Sequence, residues 1–170
     1  LNTGTETYPF LTIEKALSIM NPDEFDPATN HLSIGYFSPF FTGEPFAIAM
    51  ISNVNLIGQG EELTILDAEL TDIVLLMENC QNNIISNLMI TGGNTANASG
   101  GGIYLHSSNP TLTNVTIENN TAPYGGGIYL YDSNSTLTNV TISGNTATSS
   151  DGGGMCLVAS NPTLTNVTIE

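Results

Sequence analysis

Positive charge is almost missing from this chain: Lys15 is the single basic residue, set against 16 Asp and Glu, and the formal net charge is −15. Neutralising phosphates takes clusters of Lys and Arg, so nucleic acid is excluded as a partner. The same deficit excludes an electrostatic hold on anionic membranes. Long apolar runs are missing too. The stretch from Ile73 to Met77 falls far short of the 18 or more residues needed to span a bilayer, so no membrane insertion is expected. The first residues carry no basic segment of a signal peptide, which reads as a soluble chain already processed or excised. Cysteine is limited to Cys80 and Cys156, too few for a disulfide framework. What is present suffices for a fold: 170 residues, 40% of them hydrophobic, are expected to form a single domain with its own core.

The acids are unevenly placed. Twelve of the 16 lie between Glu6 and Glu78, leaving Glu118, Asp132, Asp151 and Glu170 for the remainder. Neither an EF-hand loop nor a GGxGxD repeat occurs among them, so they read as a solubilising field, and no metal or cofactor is expected.

From residue 100 onward the chain repeats itself. Gly100-Gly-Gly-Ile-Tyr-Leu105 recurs from Gly125 and, as Gly-Gly-Gly-Met-Cys-Leu, from Gly152. Thr111-Leu-Thr-Asn-Val-Thr-Ile117 recurs at Thr136 and Thr163 with the same spacings of 25 and 27 residues. Two blocks moving together mark one structural unit. A degenerate copy, Ile84-Ile-Ser-Asn-Leu-Met-Ile90, stands 27 residues before Thr111, and Ile51 to Ile57 places Asn53 34 residues before Asn87, giving about five units.

Within a unit Ile103, Leu105, Leu112, Val115 and Ile117 alternate with Tyr104, Thr111, Thr113 and Thr116, which is strand periodicity. Three short strands in about 25 residues leave no room for a helix, and neither a leucine-rich repeat nor a propeller blade fits the period. The pattern predicts an all-β solenoid of about five coils, with three short strands each and parallel strands stacked coil upon coil at ~4.8 Å. Leu112 and Val115 are three residues apart yet both should point inward; a left-handed Asn114 between them corrects the phase. Asn53, Asn87, Asn114, Asn139 and Asn166 are then expected to form an amide ladder. Sequons fall at 97, 114, 119, 134, 139 and 166, and glycosylation of the three ladder positions is not expected, their amides being tucked into a turn. The alignment also sets Cys80 opposite Ser107 and Cys156 opposite Tyr129, about three coils apart, too far for a disulfide.

Thr12 can cap a short helix running through Met20, with Ile13, Ala16, Leu17 and Met20 on one face and Asn21-Pro22 ending it. Such a helix is expected to lie over the N-terminal end of the solenoid. The single domain then divides into an N-terminal cap and leading strand at 1–45, degenerate coils at 46–99 and regular coils at 100–170, and further coils are expected beyond residue 170. The unpaired edge of the last coil is a candidate for end-to-end self-association.

Tyr8-Pro-Phe-Leu-Thr-Ile-Glu-Lys-Ala-Leu17, Asn53-Val-Asn-Leu-Ile-Gly-Gln-Gly60 with Thr64-Ile-Leu-Asp67, and the Gly-Gly-Gly-Ile-Tyr-Leu and Thr-Asn-Val-Thr-Ile repeats together resemble the bacterial right-handed parallel β-helix proteins of the pectate lyase-like superfamily. That resemblance covers nearly the whole chain and implies a right-handed parallel β-helix. Its members range from pectate lyases and polygalacturonases to phage tailspikes and surface adhesins, so it implies no single activity. Pectate lyases of this fold use Arg or Lys beside calcium-binding acids, whereas this chain has only Lys15, in the helix. Polygalacturonase-like members carry Asn-Thr-Asp, Asp-Asp, Gly-His-Gly and Arg-Ile-Lys blocks, none of which occurs here. A glycosidase needs two carboxyl groups ~5 to 9.5 Å apart, and Asp132 and Asp151 fall at different corners of the repeat. His31 and His106 have no Ser or Cys partner in a recognisable spacing. No catalytic residue is therefore assigned.

The outward residues suggest binding instead. Tyr104 should stack under Tyr129 and His106 under Tyr131, a short aromatic stripe on the face where superfamily members commonly hold polysaccharide; the same side chains could equally serve to stabilise neighbouring strands. Thr111, Thr113, Thr136, Thr138, Thr163 and Thr165 form a Thr-x-Thr array that also fits an ice-binding surface. The reading favoured is a non-catalytic extracellular or cell-surface bacterial scaffold for adhesion, glycan contact or self-assembly, with a polysaccharide or cell-surface glycan as partner. A polysaccharide-active lyase or glycoside hydrolase and an ice-binding protein are the alternatives.

Overall fold

A computed structural model describes residues 12–18, 31–33, 46–149 and 152–170, with side chains throughout except at 31–33. Its strands are parallel and stack coil upon coil. The first sheet holds Ile48–Ala49, Leu75–Glu78, Ile103–His106, Ile128–Tyr131 and Met155–Val158. In register Ile48 pairs with Leu75, Leu75 with Ile103, Ile103 with Ile128 and Ile128 with Met155. Those are four turns of 27, 28, 25 and 27 residues, close to the five coils expected.

The second sheet runs through His31–Ser33, Asn55–Ile57, Ile84–Thr91, Thr111–Glu118, Thr136–Ser143 and Thr163–Ile169, with Ile65–Asp67 also paired to Ile84–Thr91. Two of the three short strands expected per coil are thus halves of one continuous strand, bent at its asparagine. The third strand of a regular coil lies in the expected Asn-Thr-Ala loop: Thr121–Ala122 pairs with Thr146–Ala147. Two residues carry no period of their own, and only pairing with the adjacent coil makes them a strand.

Left-handed residues make the corners. Asn87, Asn114, Asn139 and Asn166 have φ of 56°, 52°, 54° and 52°, and each turns the chain while Leu112 and Val115 both remain buried. A second set, Asn79, Ser107, Asp132 and Ala159, has φ of 55°, 48°, 49° and 50° at the exit of the first sheet. Asn and Asp accept this conformation through their short polar side chains, whereas Ser and Ala hold it against a cost of about 1–2 kcal/mol. At the start of the first sheet Gly125 sits at φ 59°, and a Cβ on Gly102 would lie 2.6 Å from the Gly127 carbonyl oxygen of the next coil, so the triple glycine both turns the chain and lets coils touch.

One expected alignment is corrected. Leu56 pairs with Ile85 and Ile57 with Ser86, but Ile65 pairs with Met89. Seven residues, 58–64, therefore span the gap that Asn87 and Leu88 alone span in the next coil. The register set before this insertion, Leu56 on Ile85, places Asn53 not under Asn87 but under Asn82, whose Nδ2 donates to Asn53 Oδ1 at 2.8 Å. Register carries the same corner through Asn109, Asn134 and Asn161. The place beneath Asn87 is taken by Gly58, where a Cβ would strike the Asn87 carbonyl oxygen at 2.1 Å.

The core is a column of aliphatic side chains inside the coils, among them Leu56, Leu75, Ile85, Leu105, Leu112, Leu130 and Leu137, all at most 1% exposed. Full burial of each such side chain stabilises by roughly 1.5–3 kcal/mol. Helix Ile13–Leu17 starts at Thr12, whose Oγ1 accepts from Lys15 N at 3.0 Å, and its buried Ile13 and Leu17 join this core beside Ile48. Met20 and Asn21-Pro22 lie outside the described residues. On the last coil Leu157, Leu164 and Ile169 are 47%, 45% and 48% exposed.

Candidate functional site

The outward face of the first sheet gathers the aromatic side chains. Strand alternation turns Ile103, Leu105, Ile128 and Leu130 into the core, so the residues between them must face out. Register then builds two columns, Leu76–Tyr104–Tyr129–Cys156 and Glu78–His106–Tyr131–Val158. The rings of Tyr104 and Tyr129 lie nearly parallel, at 8°, with centroids 5.7 Å apart. His106 meets Tyr131 edge-on at 5.1 Å and 81°. A parallel pair at that distance is offset, so each ring shields part of its neighbour and leaves the remainder for solvent or a ligand. The contact also holds adjacent strands together in its own right. Burial, with Cys156 and then Tyr104 alongside, pushes the Tyr129 phenol above its ordinary pKa. Tyr124, 41% exposed, stands immediately before Gly125, outside the two columns.

Of the groups weighed for catalysis, His106 alone is one of the outward residues of this face among the described side chains. Asp132 occupies a left-handed corner, where its Oδ2 accepts from Ser107 Oγ at 3.4 Å, so the repeat geometry accounts for it. Asp151 lies outside the described residues, and so does the side chain of His31. Lys15 sits on the exposed side of the helix at the other end of the core. Among the described residues no three His, Cys, Asp or Glu side chains gather as a metal-ligand set.

Polar ladders join the coils at the corners. Asn114 Nδ2 donates to Asn87 Oδ1 at 3.0 Å, Asn139 to Asn114 at 3.0 Å, and Asn166 to Asn139 at 2.9 Å. Inside the coil, Ser108 N donates to Ser133 Oγ at 3.1 Å and Ser133 N to Ser160 Oγ at 2.9 Å. Cys80 N donates to Ser108 Oγ at 2.9 Å, so Cys80 stands opposite Ser108 rather than Ser107. Cys156 does face Tyr129, and both thiols are free. A further ladder escaped the sequence reading. The fully buried Asn120 donates from N and Nδ2 to Asn145 Oδ1, and its own Oδ1 accepts from Gly93 N. The Asn-Thr-Ala that follows Glu118 and precedes Thr148 was its only signal.

A family model described as right handed beta helix region matches residues 51–169, well over half of the chain. The chain belongs to the right-handed β-helix family. No curated protein and no solved structure matches it.

On the second sheet of this β-helix the threonine array assembles in register. Thr111, Thr136 and Thr163 form one column and Thr113, Thr138 and Thr165 the next. A third column, Thr116–Thr141–Thr168, lies beyond the asparagine bend. The β-helix thus offers an aromatic surface on one sheet and an uncharged hydroxyl and amide surface on another.

Proposed function

We propose that this β-helix is a non-catalytic scaffold of a secreted or cell-surface bacterial protein that contacts glycan through the aromatic face of its first sheet. The observation carrying the reading is the offset stack of Tyr104 and Tyr129, flanked by Tyr131 and His106. Sugar rings present C–H faces that pack on such rings, while phenol and imidazole edges supply hydrogen bonds. The absence of arginine and the remoteness of Lys15 favour binding over the lyase chemistry of related folds. Affinity electrophoresis against a panel of polysaccharides tests the proposal. Retention by at least one polymer is expected, together with a roughly tenfold or greater loss in the double variant Tyr104→Ala/Tyr129→Ala, since each aromatic contact contributes about 0.5–1.5 kcal/mol beyond its buried area. Thr138→Ala on the other sheet should leave retention unchanged. Retention indifferent to the tyrosines overturns the site, and shortening of the retained polymer on incubation overturns the non-catalytic assignment.

A further inference from the structure

A recess lies along the asparagine corner of the second sheet. It is an open groove of about 440 Å³ along the asparagine ladder, with Asn87, Asn114, Asn139 and Asn166 as its floor and Thr141 and Thr168 beside them. One end is closed by Gly60 and Glu61, which belong to the inserted segment 58–64. Insertions in a solenoid project as loops on one face, and such loops commonly carry binding. This one is pinned rather than loose. Gly60 N donates to the Asn87 carbonyl at 2.9 Å, Thr64 N and Leu63 N return to the Gly60 carbonyl at 2.8 and 3.0 Å, and Gln59 N donates to Thr64 Oγ1 at 3.0 Å.

The lining defines the ligand chemistry. Glu61 is the one charged residue among the groove's lining residues. A carboxylate at a closed end favours a cation and, in a chain of net charge −15, repels polyanions. Along the floor the carboxamides of Asn114 and Asn139 each use one N–H and one oxygen lone pair on their ladder neighbours, and a primary amide has a second of each. The groove therefore repeats a donor and an acceptor every coil, ~4.8 Å apart, flanked by threonine hydroxyls. A ligand using both features carries a protonated amine and a row of hydroxyls.

We propose that this groove binds an amino-sugar oligosaccharide, with an ammonium group at Glu61 and hydroxyls along Asn87 to Asn166. The site is independent of the aromatic face. The probe is a glucosamine hexamer, titrated into the 170-residue chain by calorimetry and followed through the side-chain amide resonances of Asn114 and Asn139. Binding should shift those amides and weaken with added salt, and Glu61→Gln should lower the affinity at least tenfold with an unchanged circular dichroism spectrum. Thr141→Val, which keeps a β-branched residue in the strand, should weaken binding about threefold or more. A glucose hexamer and a galacturonate hexamer should bind at least tenfold more weakly than the glucosamine hexamer. No binding of the glucosamine hexamer, equal affinity in Glu61→Gln, shifts confined to the first sheet, or equally tight binding of spermidine would each overturn the proposal, the last because the floor would then contribute nothing.

Discussion

Cys80 occupies a serine's place. Ser108, Ser133 and Ser160 each donate their hydroxyl to the carbonyl two residues back, at 2.9 Å, while receiving a backbone N–H from the coil before. Cys80 repeats the first half of that arrangement with sulfur, its Sγ lying 3.5 Å from the Glu78 carbonyl oxygen and 3.2 Å from that of Met50. Burial raises the Cys80 thiol above its ordinary pKa, as it does the Tyr129 phenol. Both groups are neutral when protonated, so folding disfavours their ionised forms. The stability this represents is fully present below the unfolded values, about 8.5 for the thiol and about 10 for the phenol, and is lost as pH climbs through the raised native ones. The melting temperature should therefore fall above about pH 9, and Cys80→Ser should flatten the first part of that fall while changing stability at pH 7 by no more than about 1 kcal/mol, the worth of one hydrogen bond. An alkaline limb identical in the two proteins would assign the loss to groups other than this thiol.

At the scale of the element, the second-sheet strand does two things with one asparagine. Asn139 bends the strand at φ 54° and links amides on both sides, donating to Asn114 and accepting from Asn166. Two substitutions separate these roles. Asn139→Gly keeps the left-handed backbone available and removes only the amide links, for an expected loss of about 1–2 kcal/mol. Asn139→Ala removes the links and also imposes about 1–2 kcal/mol of backbone strain, for a total near 2–4 kcal/mol. Urea unfolding measures the difference directly. Equal losses would mean that the corner tolerates any residue and that the amide ladder alone matters. Because each coil touches only its neighbours, hydrogen exchange should quicken in the strands at 111–118 and 163–169 before it does at 55–57.

Across the whole molecule the charge imbalance opposes compactness. Sixteen acids against one base repel one another in the folded state more than in the expanded chain, and the first half carries twelve of them. Ionic strength shortens the range of that repulsion to about 8 Å at 0.15 M. Raising sodium chloride from 10 to about 150 mM should accordingly raise the melting temperature, by a few degrees for a gain of about 1 kcal/mol in a domain of this size. A melting temperature that falls over the same range would show that attractive charge pairs outweigh the net repulsion.

The coil period, the inward and outward assignment of Ile103 to Ile117, the left-handed asparagines and the facing of Tyr104 on Tyr129 were all readable without coordinates. In a solenoid the spatial neighbour of a residue is the residue one period away, so repetition in the sequence already states the contacts. Where the period breaks, that equivalence fails. Gly58 holds the ladder position under Asn87, and Asn53, five residues earlier, stands under Asn82 although its local pattern assigned it to the ladder, because the pattern records residue type and hydrogen bonds record position. Segment 58–64 closes a groove whose floor comes from four coils. Thr121–Ala122 became a strand only through contact with another coil. The sequence by itself determined the repeating unit and its stacking, since both follow from alternation and period. Tertiary structure alone decided the phase across the insertion, the third strand and the groove, because each depends on which backbone groups from distant positions meet and satisfy one another.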